Sequence, residues 1–268
     1  FSPPVGDKQG FGYAAVNLIE ALMRKEIRVD YDSDTPHTHI SWVQPPWYKG
    51  REFQYRVGYS PWESTNVPRG WLPQMNSCDE IWTPTSFCKE VFEEGGVERP
   101  ITVVPHGHNF DDYPVQKYIP GGPFTFFHVG APTARKGSQR VFDAFLELFD
   151  GNKDVRLLMK SWGPSDARYI DKFGTMHNVN YHPQVQVYEA EAEVSIMREL
   201  YNQAHCMVYP SNGEGFGFIP FQAIAMGIPT IATNGTGMRD FAYMSYPLNW
   251  SWEEGNGLHI GNWCNPNH

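Results

Sequence analysis

Two stretches of the chain concentrate residue types suited to a phosphorylated ligand. Ser211–Thr233 reads SNGEGFGFIPFQAIAMGIPTIAT: Glu214 sits in a glycine-rich loop with Gly215 and Gly217, and a short apolar segment follows, opening with Pro220 and ending at Gly227. Proline just inside a helix start and glycine just past its end is the expected asymmetry. The loop N–H groups and the helix N-terminus therefore form an anion site suited to a diphosphate. Val129–Gly137, VGAPTARKG, places Gly130 after an apolar run and brings Arg135 and Lys136, cations able to neutralise such a group. A third stretch, WYKGREFQYR, interleaves the rings of Trp47 and Tyr48 with Lys49, Arg51 and Arg56. Rings offer faces to sugars or bases and the cations suit phosphate. The same pattern fits a loop whose rings pack inward while its charges stay solvated. His37 and His39 would share one face of a strand, with no third ligand to make a metal site. His106 and His108 lie at a hinge, as ordinary loop histidines or, for His106, facing the cleft between the two halves.

Strands and helices must hold these groups. Gly12–Leu22 has apolar residues at helical spacing after a loop containing Gly6, Gly10 and Gly12, a loop-to-helix start. Strands are expected at Ile40–Val43, Arg56–Tyr59, Glu80–Trp82 and Ile101–Val104, with a helix at Ser86–Glu94 closed by Gly95 and Gly96. From His106 to Pro123 the composition turns to Pro, Gly and Asp, as in a linker. A second set follows, with strands at Phe124–Val129, Val155–Lys160, Cys206–Tyr209 and Thr230–Ala232. Its helices are expected at Gln139–Phe149, Val194–Asn202 and Pro220–Met226. Alternating strands and helices imply parallel sheets covered on both faces, binding ligands beyond the strands' carboxyl ends. The expected organisation is α/β, with domains at residues 1–117 and 118–268.

The 211–233 segment resembles the E-x7-E glycosyltransferases of the family 4-like, glycogen-synthase and mannosyltransferase type, whose pattern runs EGFGLPxxEAMAxGxPVIA. Glu214, Gly215, Phe216, Gly217, Pro220, Ala223, Ala225, Met226, Gly227 and Pro229 fit it. The second acidic position falls on Gln222. The resemblance implies a GT-B fold, two Rossmann-like domains facing across a cleft, with the acceptor on the first and a nucleotide sugar on the second. It implies that Glu214 contacts the transferred sugar and that position 222 meets the ribose, where glutamine accepts a hydroxyl without charge assistance. Gly130, Gly215, Phe216, Gly217 and Phe218 would line the donor site. Arg135 and Lys136 would stabilise the departing diphosphate, since such enzymes usually have no bound metal to absorb its charge. Gly10 and Gly12 would let backbone approach the phosphates, or simply make a tight turn.

The likeness extends back through YSPWESTNVP, CDEIWTPTSFCKEVFEEGGV and ITVVPHGHN, which look like the superfamily's acceptor domain and hinge. There Trp62 joins Trp47, Tyr48, Lys49 and Arg51 as acceptor contacts. Glu63 stands where relatives carry a catalytic His or acid, or else caps a turn. The implied activity is transfer of a sugar from a UDP- or GDP-linked donor to a hydroxyl, with retention. The acceptor would be a glycan, a protein or a hydroxymethylated DNA base, the last fitting a phage-type member. A sugar-phosphate phosphorylase or epimerase of the same fold, and a silent nucleotide-sugar-binding protein, stand as alternatives.

Composition sets the limits. The 268 residues can bury a real core, and a net charge of −9 argues against binding nucleic acid or anionic membrane through bulk electrostatics. A local basic groove remains compatible with that total. Cys78, Cys88, Cys206 and Cys264 show neither metal spacing nor a disulfide framework, which points to a reducing, cytoplasmic setting. No signal peptide, bilayer-spanning run or obligate protein partner is evident. The chain starts without Met at FSPPVGDKQG, where a first strand would be expected before the glycine-rich turn, so a fragment or omitted segments are expected.

Overall fold

The computed structural model describes residues 10–30, 37–48, 54–117, 120–131, 133–161, 168–170, 176–178, 182–189 and 192–251. These group into two compact units. The first takes the described residues up to Gly107 together with Glu214–Phe218, and the second takes His108–Gly213 and those from Ile219 on.

The first unit opens with helix α1 (Gly10–Arg24). Ala14, Ala15 and Ile19, with Leu18, make one buried face at i, i+4 spacing that packs on Trp42 and Tyr59. Strands β1 (Thr38–Trp42), β2 (Tyr55–Tyr59), β3 (Glu80–Thr83) and β4 (Ile101–Val103) form a four-stranded parallel sheet in that order. The short helix α2 (Leu72–Asn76) and helix α3 (Ser86–Glu94) lie between its later strands in sequence. Thr85 caps α3, its hydroxyl accepting from the Cys88 N–H, while Phe87, Cys88, Val91 and Phe92 turn to the core. Trp42 and Tyr59 stack face to face at 3.7 Å between centroids.

The second unit is a six-stranded parallel sheet in the order β12-β11-β10-β5-β6-β9. Its strands are β5 (Phe124–Val129), β6 (Val155–Lys160), β9 (Val185–Tyr188), β10 (Cys206–Tyr209), β11 (Thr230–Thr233) and β12 (Tyr246–Leu248). Helices α4 (Ser138–Phe149), α5 (Val194–Asn202) and α6 (Phe218–Ala225) connect them, and β7 (Arg168–Ile170) with β8 (Met176–Asn178) forms a separate antiparallel pair. Val141, Phe142 and Phe145 of α4 bury against Leu157 and Met159 of β6 and Val185 of β9. Near-continuous apolar strands are what a sheet covered on both faces requires.

Most expected elements form within a residue or two of the pattern that announces them. Two helix starts differ. α1 begins at Gly10, so Gly10 and Gly12 lie in its first turn and not in a preceding loop. α6 begins at Phe218, directly after Gly217 at φ +91°, so Pro220 is its third residue. First-turn N–H groups have no intrahelical partner, so proline there forfeits no hydrogen bond. The short elements α2, β7, β8, β9 and β12 carry too little periodicity to stand out in sequence. Among the described residues, no helix is long and apolar enough to cross a membrane, and Cys78, Cys88 and Cys206 are free and buried.

Candidate functional site

The strand order of the second unit explains where its motifs fall. The chain runs outward from β5 to β6 and β9, then returns to β10 on the other side of β5. β5 and β10 pair in parallel, Cys206 opposite Phe126, so they flank the point where the order reverses. Open α/β sheets bind ligands beyond the carboxyl ends of such strands. The 130–137 turn leaves β5 there and the loop from Pro210 leaves β10, so two motifs some eighty residues apart emerge side by side.

The turns are bolted together. Arg135 donates from Nη1 to the Gly213 carbonyl at 2.7 Å, and the Arg135 carbonyl accepts from the Asn212 N–H at 2.7 Å and the Ser211 hydroxyl at 3.2 Å. Arg140 donates to the Asn212 side chain. Gly137, at φ +71°, allows the approach: a Cβ there would lie 2.6 Å from the Pro210 carbonyl oxygen. Lys136 donates from Nζ to the Tyr209 hydroxyl at 3.0 Å, with that ring 5.6 Å away. Gly130 is likewise confined, since a Cβ would come within 3.0 Å of Lys136 Cβ and 3.2 Å of His128 Nε2.

His128, in β5, holds the same corner from inside. It is fully buried, with Nδ1 2.9 Å from the Val208 carbonyl and Nε2 2.8 Å from the Ser138 hydroxyl. A carbonyl only accepts, so Nδ1 carries the proton. Burial, opposed by the bond to Val208 and aided by the Lys136 charge, pushes its pKa down to about 4.

Beyond Gly213 the chain passes into the first unit. Glu214 is buried at 7% exposure. The Gly215 carbonyl accepts from the Thr85 hydroxyl at 2.9 Å and the Cys88 thiol at 3.3 Å. A Cβ on Gly215 would sit 2.6 Å from Pro61 Cβ and 2.8 Å from the Trp62 nitrogen, so the backbone contact there demands glycine. Phe216 and Phe218 set their rings edge-on to His106 at 4.8 and 5.6 Å.

Residues 123–244 match the family described as "Glycosyl transferases group 1". Solved structures match over nearly the whole chain. An apo structure of OtsA superposes with a TM-score of 0.60 at 12% identity, covering 89% of this chain and 66% of that one. Anabaena HepE, in complex with UDP and glucose, gives 0.62 at 13% identity, covering 90% and 81%. The fold is GT-B. The pneumococcal O-GlcNAc transferase GtfA, in complex with UDP and GlcNAc, gives 0.52 at 16% identity, covering 77% of this chain and 41% of that one. The chain thus spans 66% of OtsA and 41% of GtfA, and at these identities what is shared is the fold. No curated protein sequence matches the chain.

The other expected site residues differ in burial and in partners. Gln222 is 4% exposed, and its Oε1 accepts from the Tyr201 hydroxyl at 3.2 Å. The Tyr113 hydroxyl also bonds its side chain, so the amide is engaged inside the unit. Tyr48 and Trp62 are core residues, offering no face to an acceptor. The Tyr48 ring lies over Gly58, where a Cβ would clash at 2.3 Å, and Trp62 packs edge-on to Trp71 at 4.5 Å. Trp47 is 69% exposed, while Lys49 and Arg51 lie outside the described residues. Glu63 is partly buried, and its charge helps raise the Cys88 thiol, which burial chiefly holds at about 11. The bond from His37 Nδ1 to Gln54 shows a polar pairing at the start of β1, and no group of three or more metal-ligating side chains occurs among the described residues.

Other contributors lacked a sequence signal. Lys160 ends β6 beside β5, its carbonyl accepting from the Gly130 N–H at 3.0 Å and its Nζ donating to the Ser161 carbonyl at 2.9 Å. It is buried, a third cation at this end of the sheet, marked only as the polar close of an apolar strand. Thr85 reads as an ordinary cap until Gly215 meets it.

Proposed function

We propose that this chain transfers a sugar from a nucleotide-diphosphate donor, UDP- or GDP-linked, to an acceptor hydroxyl with retention of configuration. The observation that carries the reading is the cross-tie of the two motif turns at the switch point, Arg135 Nη1 to the Gly213 carbonyl, directly before Glu214. The group 1 glycosyltransferase match over 123–244 supports it, as do the UDP complexes among the structures of this fold.

In this reading Arg135, Lys136 and the N–H groups of the glycine-rich loop stabilise the charge that develops on the leaving diphosphate. Glu214 orients the transferred sugar. The anomeric carbon loses its bond to the diphosphate oxygen and gains one to the acceptor oxygen, and the acceptor's proton passes to the departing phosphate. No covalent enzyme intermediate and no metal are required. The acceptor is a glycan, a protein or a hydroxymethylated DNA base.

A thermal-shift panel of nucleotide sugars tests donor binding, because a ligand selective for the native state raises stability by mass action. Nucleotide release, with and without EDTA, then tests turnover. Radiolabelled donor offered to glycan, protein and hydroxymethylated DNA identifies the acceptor, and DNA transfer should fall steeply with salt. Absence of both binding and nucleotide release across UDP and GDP sugars would sink the reading.

A further inference from the structure

His106 follows β4 by three residues and lies in an aromatic enclosure of the first unit. Trp42 and Tyr59 are each 5.8 Å from its ring, and Phe216 and Phe218 close the other sides at 4.8 and 5.6 Å. Its two nitrogens are not equivalent. Nδ1 is 3.3 Å from the Tyr59 hydroxyl, which donates its single proton to the Val104 carbonyl at 3.0 Å. A carbonyl can only accept, so Tyr59 can only receive from Nδ1. The tautomer is thereby fixed, with the proton on Nδ1 and the lone pair on Nε2. Among the described residues no group bonds Nε2, nor is that atom among the sealed, unpartnered ones. The residue is partly buried.

Burial pushes the His106 pKa down to about 3, so the ring stays neutral at ordinary pH. What remains is a preset acceptor between apolar faces, beside the backbone that carries Glu214. Carbohydrate sites combine such features: ring faces for C–H surfaces and a few placed polar atoms for hydroxyls.

We propose that His106 Nε2 accepts a hydrogen bond from a sugar hydroxyl, either of the donor's transferred sugar or of the acceptor. This rests on the glycosyl-transfer reading above.

Calorimetry with UDP-glucose and GDP-mannose, each against its free nucleotide, tests it in wild type, His106→Phe and His106→Gln. Phenylalanine keeps the ring packing and removes the acceptor, whereas glutamine can restore an acceptor near Nε2. If the partner is the donor sugar, His106→Phe binds free nucleotide normally and the nucleotide sugar roughly three- to tenfold more weakly, the scale of one hydrogen bond. If the partner is the acceptor, donor binding is unchanged and the acceptor KM rises by a similar factor. His106→Gln recovers part of either loss. Wild-type behaviour of His106→Phe in both assays, or equal losses for nucleotide and nucleotide sugar, overturns the proposal. Failure of wild type itself to bind any nucleotide sugar instead removes the glycosyl-transfer reading and this inference with it. Should His106→Phe not fold, 15N-histidine spectra of wild type decide. The His106 Nε2 resonance should move with the nucleotide sugar or the acceptor and stay still with free nucleotide; no movement with either overturns it.

Discussion

Arg135 and Gly213, 78 residues apart in sequence, are joined by a 2.7 Å hydrogen bond from guanidinium to carbonyl. That bond fixes the basic turn after β5 against the last residue before Glu214. Arg135 therefore positions the two turns against each other, while Lys136 is held by the Tyr209 hydroxyl. Lys136→Ala and Glu214→Ala should each lower turnover by roughly two to three orders of magnitude while the protein remains folded. Arg135→Lys should recover little, because an ammonium cannot reproduce the planar guanidinium's contacts. Nucleotide release by purified variants, with circular dichroism as the folding control, measures this. Wild-type turnover in Lys136→Ala and Glu214→Ala would remove the proposed donor site.

The close backbone approaches predict a graded set of glycine substitutions. Gly137→Ala meets a positive φ and the Pro210 carbonyl at once, and should cost about 1–3 kcal/mol or more. Gly215→Ala must displace Pro61 and the Trp62 backbone and should also destabilise clearly. Gly121→Ala, with open space around it and no positive φ, should be neutral or gain up to about 1 kcal/mol. Thermal melts of the three variants should preserve this ranking. Equal melting temperatures would mean that the motif turns do not pack as described.

Gln222→Glu places a carboxylate among the Tyr201 and Tyr113 hydroxyls in a site that is 4% exposed. Tyrosine hydroxyls can donate to it, yet desolvation should still cost roughly 1–3 kcal/mol at neutral pH. Nucleotide affinity should stay unchanged because the side chain is already engaged inside the unit. Tighter UDP or GDP binding by calorimetry would instead put position 222 on the ribose.

His128 makes stability depend on pH. Its pKa is about 4 in the folded protein, against an ordinary value of 6.5. Below pH 6.5 the unfolded chain takes up a proton that the native state refuses, so stability falls with pH until about 4, where both states are protonated. The full loss is roughly 3 kcal/mol at 1.36 kcal/mol per pKa unit. His106 acts in the same direction, continuing to about pH 3. Urea midpoints between about pH 7 and pH 4 should decline, and His128→Asn, which retains a donor near Nδ1, should flatten the slope. An unchanged slope would mean that His128 is not the group responsible.

The sequence by itself determined the local elements and the kind of chemistry. Apolar periodicity marks Ser86–Glu94, Phe124–Val129, Val155–Lys160, Val194–Asn202 and Cys206–Tyr209 to the residue, because turn chemistry and burial pattern act over a few neighbours. Glycine-rich loops after strands, with Arg135 and Lys136 in one and Glu214 in the other, were legible for the same reason. Tertiary structure alone decided which side chains remain available. Gln222, Tyr48 and Trp62 are polar or aromatic in sequence, and only the fold pairs them with Tyr201, Gly58 and Trp71 and buries them. Nothing near Thr85 in sequence announces Gly215, and nothing near His106 says that Val104 takes the Tyr59 proton and leaves Nε2 as the acceptor. A side chain's chemistry is set by its partners and its access to water, and here those partners come from distant elements that only the folded sheets make neighbours.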